Sequence, residues 1–225
     1  DDGTVVVYTE VTDLNNAKKA LEGKEDTEYY HQFDLYLNNT TDLQNLLLDA
    51  SENLTDAQKK QIQLELDRNK VLHENTLELA KQKDLASASE TDLTKDVLAK
   101  STKKDLTASG VAAEKEALRE LFDTIEATDD NIMEAFDLSK EQLANLDKQE
   151  RKEKNILYIS EQRRGIIEAF AEDMGISTDL AWDLAKAMDN SKKYAEDLEK
   201  SEKTIKEHTE GLKNDINKAG QKTVD

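Results

Sequence analysis

No proline occurs anywhere in this 225-residue chain, and only seven glycines do. Proline and glycine are the residues that most often stop helices and build the tight turns between strands. A chain almost without them has few places to reverse direction. That argues against a compact all-β domain or an α/β enzyme of this length, because both need many turns. Long helices remain. Apolar and charged residues each make up 36% of the chain, a composition poorer in core formers than an average globular domain. The apolar residues nevertheless recur with helical periodicity, which a disordered chain does not need. The expected class is all-α: an elongated antiparallel helical bundle of coiled-coil-like long helices with a short extended N-terminal arm.

The arm is read over 1–12, where Thr4-Val5-Val6-Val7-Tyr8 is the one convincing strand-like run. Residues 13–225 are read as a single elongated bundle, with the polar stretch 101–110 as the candidate internal boundary. Asp13 caps a short helix through Leu21, closed by Gly23. A second helix begins near Glu25 and reaches Leu48. Thr55 then caps a long helix on which Ala57, Leu64 and Val71 form one seven-residue row; Leu72, Leu79 and Ala86 continue it one position later. This helix is expected to run through Leu93 and Val97, with a kink or break near Thr91. Leu118, Leu121, Phe122 and Ile125 mark an amphipathic helix, and Asp129-Asp130-Asn131 starts a short one. Ser139 and Gln142 form a capping-box pattern, expected to open one helix that continues to Met174 and closes at Gly175. The last helix starts at Ser177, Thr178 or Asp179. Its seam reads Leu184, Ser191, Leu198, Ile205, Leu212 and Ala219, with Met188, Ala195, Glu202, Thr209 and Ile216 in the alternate row. The spacings of four and three are heptad logic.

Chemistry is sparse. Without cysteine there are no thiolate metal sites, disulfides or thiol nucleophiles. The glycines form no phosphate-cradling loop, and no nucleophile elbow is present. Asp123 to Asp130 and Asp137 to Glu141 are acidic but lack the glycine and terminal glutamate of a calcium loop. Glu28 and His31 have the Glu-x-x-His spacing of carboxylate-bridged di-iron bundles, yet neither His73 nor His208 supplies the second copy such a site needs. A net charge of −19 disfavours nucleic acid. No run is long and apolar enough for a transmembrane helix. No catalytic, cofactor-binding or metal-binding residue is therefore assigned, and no cofactor is expected.

The candidate interaction residues are Tyr29, Tyr30, Phe33, Tyr36, Arg163, Arg164 and Trp182. The four aromatics are clustered and serve either as the plug at a bundle end or as an exposed docking patch. The two arginines are a local contact site or salt-bridged surface. The tryptophan is a bundle plug or an interface anchor.

An extended start followed by long polar helices is similar in plan to several bacterial secreted helical proteins, such as minor pilus components of conjugation systems, with no motif shared. The leading expectation is a non-enzymatic structural or protein-interaction protein: a helical rod in a bacterial surface or secretion-type assembly, binding other proteins or itself. A first residue other than Met and an acidic surface fit a secreted or cell-envelope setting after signal cleavage; an excised cytoplasmic piece fits nearly as well. The alternatives are a helical-bundle metal protein using His31 and nearby carboxylates, and a bundle that opens at membranes.

Overall fold

The computed structural model describes residues 27–103 and 105–221. The extended arm over 1–12 and the short helix from Asp13 to Leu21 lie outside the described residues. What is described is an all-α helical bundle, with no strand among the described residues. Its helices are α1 (Glu28–Ala50), α2 (Asp56–Lys100), α3 (Ala108–Asp123), α4 (Asp129–Ala135), α5 (Lys140–Asn145), α6 (Lys148–Met174) and α7 (Thr178–Gln221).

Local chemistry sets the ends of these helices. The Thr27 hydroxyl accepts from the Tyr30 amide at the start of α1. The Asp84 carboxylate, reaching over from α2, accepts from the Glu28 and Tyr29 amides at 3.0 and 2.9 Å. Three of the four orphan donors of a helix N-terminus are thus satisfied, and a negative charge sits where the helix dipole favours it. Thr55 and Gln58 exchange hydrogen bonds at the start of α2.

Two expectations about helix length are corrected. The stretch from Ser139 to Met174 is two helices. Ser139 and Gln142 do form a capping box, but the helix they open ends at Asn145, and Leu146 is extended. Asp147 then caps α6, accepting from the Gln149 and Glu150 amides at 2.7 and 2.9 Å while Glu150 accepts from the Asp147 amide at 3.0 Å. This second reciprocal cap rewards a fresh start more than continuation. Conversely, α2 runs unbroken past Thr91 to Lys100.

The chain forms two compact units, one from Asp1–Ala88 with Asn190–Asp225 and the other Ser89–Asp189. The 101–110 connection lies inside the second.

In the first unit, α2 and α7 are antiparallel, since Glu65, Asn69 and Thr76 meet His208, Thr209 and Ser201. Helix α1 runs antiparallel to α2, through Lys83 to Glu28 and the His73 and Tyr36 rings. Leu43, Leu54, Ile62, Leu212 and Ile216 form its apolar core. The expected seam of α7 is present: Leu198, Ile205, Leu212, Thr209 and Ile216 are buried, while Ala195 is exposed. On α2 the first half of the expected row fails, while its continuation through Leu72, Leu79 and Ala86 is half-buried. The buried positions in this unit are Ile62, Asn69, His73, Thr76 and Ala80. Ala57 is exposed, and Leu64 and Val71 are 60% and 53% exposed.

The second unit has a core built around Val97, Leu118, Ile167, Met174, Leu184 and Met188. The turn between α6 and α7 needs its glycine. Gly175 has φ 62°, a conformation that costs other residues roughly 1–2 kcal/mol. A Cβ there would also stand 2.0 Å from Thr102 Oγ1. The close approach is used: Thr102 donates its amide to the Gly175 carbonyl, and the Ser101 hydroxyl donates to the Met174 carbonyl.

Candidate functional site

The aromatic cluster divides by burial. Phe33 and Tyr36 are buried, and Tyr29 and Tyr30 are half-buried, so two of the four serve as core. Tyr36 lies with its ring centroid 5.0 Å from that of His73. Arg163 donates from Nη2 to both Asp189 carboxylate oxygens at 2.7 and 2.8 Å and lies 4.2 Å from the centre of the Phe122 ring. The charge-assisted pair and the cation–π contact together hold that guanidinium in place. Arg164 is exposed, its nearest carboxylate being Glu168 at 3.9 Å. Trp182 is partly buried against the core of the second unit. These residues are not brought together: the aromatics belong to the first unit, and the two arginines and Trp182 to the second.

His31 is exposed. Its partner in the Glu-x-x-His pair, Glu28, is engaged elsewhere, accepting from Lys83 Nζ at 2.7 Å and from Gln32 Nε2 at 3.1 Å. Burial pushes the Glu28 carboxyl upward, but these two hydrogen bonds and the attraction of Lys83 and His31 outweigh it and hold the pKa below 4.5. Among the described residues no group of three or more His, Asp or Glu is arranged to hold a metal ion. No helix among them is long and apolar enough to cross a membrane.

Two features were missed from the sequence. The first is a run of polar contacts through the middle of the first unit. Thr209, on the α7 seam, donates to Asn69 Oδ1 at 3.1 Å, both side chains being buried. Thr76 pairs with Ser201, and the buried Gln32 amide donates to Glu202. Glu202 and Thr209 interrupt the heptad row in sequence, and in space each finds a partner, as buried polar groups must. His73 is the exception. It is 2% exposed, and its Nε2 is the buried side-chain atom that has no hydrogen-bond partner among the described residues. Burial pushes its pKa down to about 4, so the ring is neutral at pH 7. Beside it opens a cleft of about 320 Å³ lined by residues of α1, α2 and α7, among them Gln32, Leu35, His73, Ile205, Lys206 and Glu210.

The second is the outer face of α2. Leu64, Val71 and Leu85 are 60%, 53% and 58% exposed. At 100° per residue, Leu64 and Val71 stand about 150° round the helix from the buried Asn69, His73 and Thr76. The same outer face carries exposed Lys60 and Arg68 on one side of Val71 along the helix, and exposed Glu74 and Glu78 on the other.

A smaller groove in the second unit, between α3 and α6, is lined by Leu118, Leu121, Ile166 and Phe170, with Glu114 and Asp173 toward the start of α3 and the end of α6. Lys103 pairs with Asp173 at 3.1 Å.

No family model matches the chain, and neither a curated protein nor a solved structure does so.

Proposed function

We propose that this chain is a non-enzymatic helical interaction protein whose outer α2 face docks on a second copy of itself. The observation that carries the reading is the stripe Leu64–Val71–Leu85, left exposed on a helix whose inner seam is interrupted by Asn69, His73 and Thr76. Large apolar side chains in a row at heptad-related spacing are what a partner helix reads. Charge selects the partner and its direction. Arg68 precedes Val71 by three residues, and Glu74 follows it by three. An antiparallel copy centred on Val71 therefore sets Arg68 against Glu74 on both sides of a two-fold axis, the self-complementary arrangement of an isologous dimer. A parallel copy faces like charges. The stripe is narrow, below the area of a standard stable interface, so association is weak, with Kd on the order of 100 µM.

Sedimentation equilibrium of the full chain tests this. Concentration-dependent dimers are expected, weakened at least tenfold by Val71→Glu. Arg68→Glu should weaken them, and adding Glu74→Arg should restore them, because only the antiparallel pairing exchanges those two positions. A monomer at every concentration, or a dimer indifferent to Val71→Glu, overturns the reading. A secreted or cell-envelope setting in a bacterial surface or secretion-type assembly belongs to the same proposal. It is supported by the acidic, charge-rich composition, and fractionation of the source cells tests it.

A further inference from the structure

We propose that the groove between α3 and α6 receives the apolar face of a cationic amphipathic helix from another protein. The groove belongs to the second unit and is separate from the α2 stripe. Its size argues for a helix. At about 220 Å³ it falls below the roughly 300 Å³ at which small-molecule sites begin. Leu118 and Phe170 are its buried members, while Leu121, at 50% exposed, and the half-buried Ile166 present apolar surface to solvent. Ala117 and Ala169 also line it and are exposed; side chains that small leave room for a third backbone to approach. Glu114 to Leu121 on α3, and Ile166 to Asp173 on α6, are each steps of seven residues. The groove therefore extends over two helical turns, about 10 Å. That is the span of apolar anchors at i, i+3 or i+4, and i+7 on one face of a partner helix.

Charge selects the kind of helix. Glu114 and Asp173 line the groove, and three residues on from Ala117 and Ala169 stand the exposed Glu120 and Glu172. Asp173 has a cation, Lys103 at 3.1 Å. Glu114, Glu120 and Glu172 pair with no cation among the described residues. Arg163, one turn before Ile166 on α6, is engaged by Asp189 and does not offset them. Three uncompensated carboxylates around an apolar groove repel an acidic partner and attract one whose apolar face is flanked by Lys or Arg.

The probe is a fluorescently labelled peptide of about 18 residues, long enough to be helical, with Leu at the a and d positions of a heptad and Lys on both flanks. It is titrated with the full chain at about 0.15 M salt, which screens long-range attraction to the net charge, and followed by anisotropy. Saturable binding with Kd on the order of 10 µM is expected. A scrambled peptide of the same composition should bind about tenfold more weakly. Leu121→Glu adds a carboxylate, so charge attraction alone would tighten binding; loss of the apolar wall should instead weaken it about tenfold. Ala169→Gln obstructs the groove at an exposed position without changing its charge, and should weaken binding similarly even if the Leu121 variant folds poorly. Glu114→Gln with Glu172→Gln should weaken it about threefold, an effect lost at about 1 M salt. Val71→Glu, in the other unit, should leave peptide binding unchanged, which keeps this result distinct from that for the α2 face. Equal binding of the scrambled peptide, unchanged or tighter binding to Leu121→Glu, or full binding to Ala169→Gln overturns the proposal. Self-association abolished by Leu121→Glu, with no peptide bound, would assign the groove to a second copy and overturn it equally.

Discussion

Lowering the pH from 7 to 4 should loosen the first unit through His73 by an amount the structure lets one estimate. The ring lies against Tyr36 of α1, and it lines a cleft whose α7 wall carries Glu202, Lys206, Glu210 and Lys213. Burial alone drives its pKa from 6.5 down to about 4. Because the folded value is depressed, the unfolded chain takes up its proton first as pH falls. Above pH 6.5 neither state is protonated and the imidazole has no linkage effect. Between 6.5 and about 4 stability is progressively lost, and below 4 no more is lost. The full window corresponds to about 3 kcal/mol, with about 2 kcal/mol already gone at pH 5. Amide hydrogen exchange over 69–76 reads this local opening directly. His73→Leu removes the titrating group at similar volume, so its protection should fall with pH less steeply than that of the unaltered chain, whatever its stability at pH 7. Trp182, the single tryptophan, lies in the other unit, so its fluorescence supplies a control that should titrate identically in both proteins. Parallel loss of protection in the two proteins between pH 7 and 4.5 would refute the assignment of a neutral, desolvated ring.

Gly175→Ala should destabilise the second unit by about 2–4 kcal/mol, combining left-handed backbone strain with displacement of Thr102; an unchanged urea midpoint of Trp182 fluorescence would contradict the turn geometry. Asp147→Ala removes the cap of α6 and should cost about 1 kcal/mol, read as faster amide exchange over the first turn of that helix and not of α5. Lys83→Met deletes one of the bonds that hold the Glu28 carboxyl below 4.5, so a carbon-detected titration should show that pKa rising. The unaltered pair contributes stability that is present above pH 4.5 and lost as pH falls through the folded pKa, and the variant should lose that contribution at higher pH.

Much of this fold can be read from the residues, for reasons that also explain the misses. The α7 seam is legible because its apolar residues fall mostly on one stripe, so period and face coincide. On α2 they do not. Leucines at 64, 66, 72, 77, 79 and 85 surround the helix, and seven-residue apolar rows can be drawn through Leu64 with Val71 or through Leu72 with Leu79, on different faces. Periodicity then establishes a helix without saying which face is buried. The break at Leu146 was available in principle, since Asp147-x-x-Glu150 has the same form as the Ser139 box, but it sits in a charged stretch that also reads as a solvated helix. The cleft at His73 was not available. It depends on a histidine, a glutamine and a glutamate from three helices, separated by 41 and 129 residues of chain, and no local pattern connects them.

The polar contacts of the first unit answer a question that its apolar residues leave open. Leu198, Ile205 and Leu212 recur every seven residues along α7, so sliding that helix by one heptad against α2 would put one leucine-like residue where another had been. Apolar packing distinguishes such registers only weakly, because it is non-directional. The polar pairs distinguish them sharply. Asn69 with Thr209, Thr76 with Ser201 and Gln32 with Glu202 all form in one alignment. A slide of one heptad separates all three and leaves buried groups unpaired at about 1–3 kcal/mol apiece. Interruptions that look like weaknesses in the heptad row are therefore what select a single alignment, the role best attested for buried polar residues in helical assemblies.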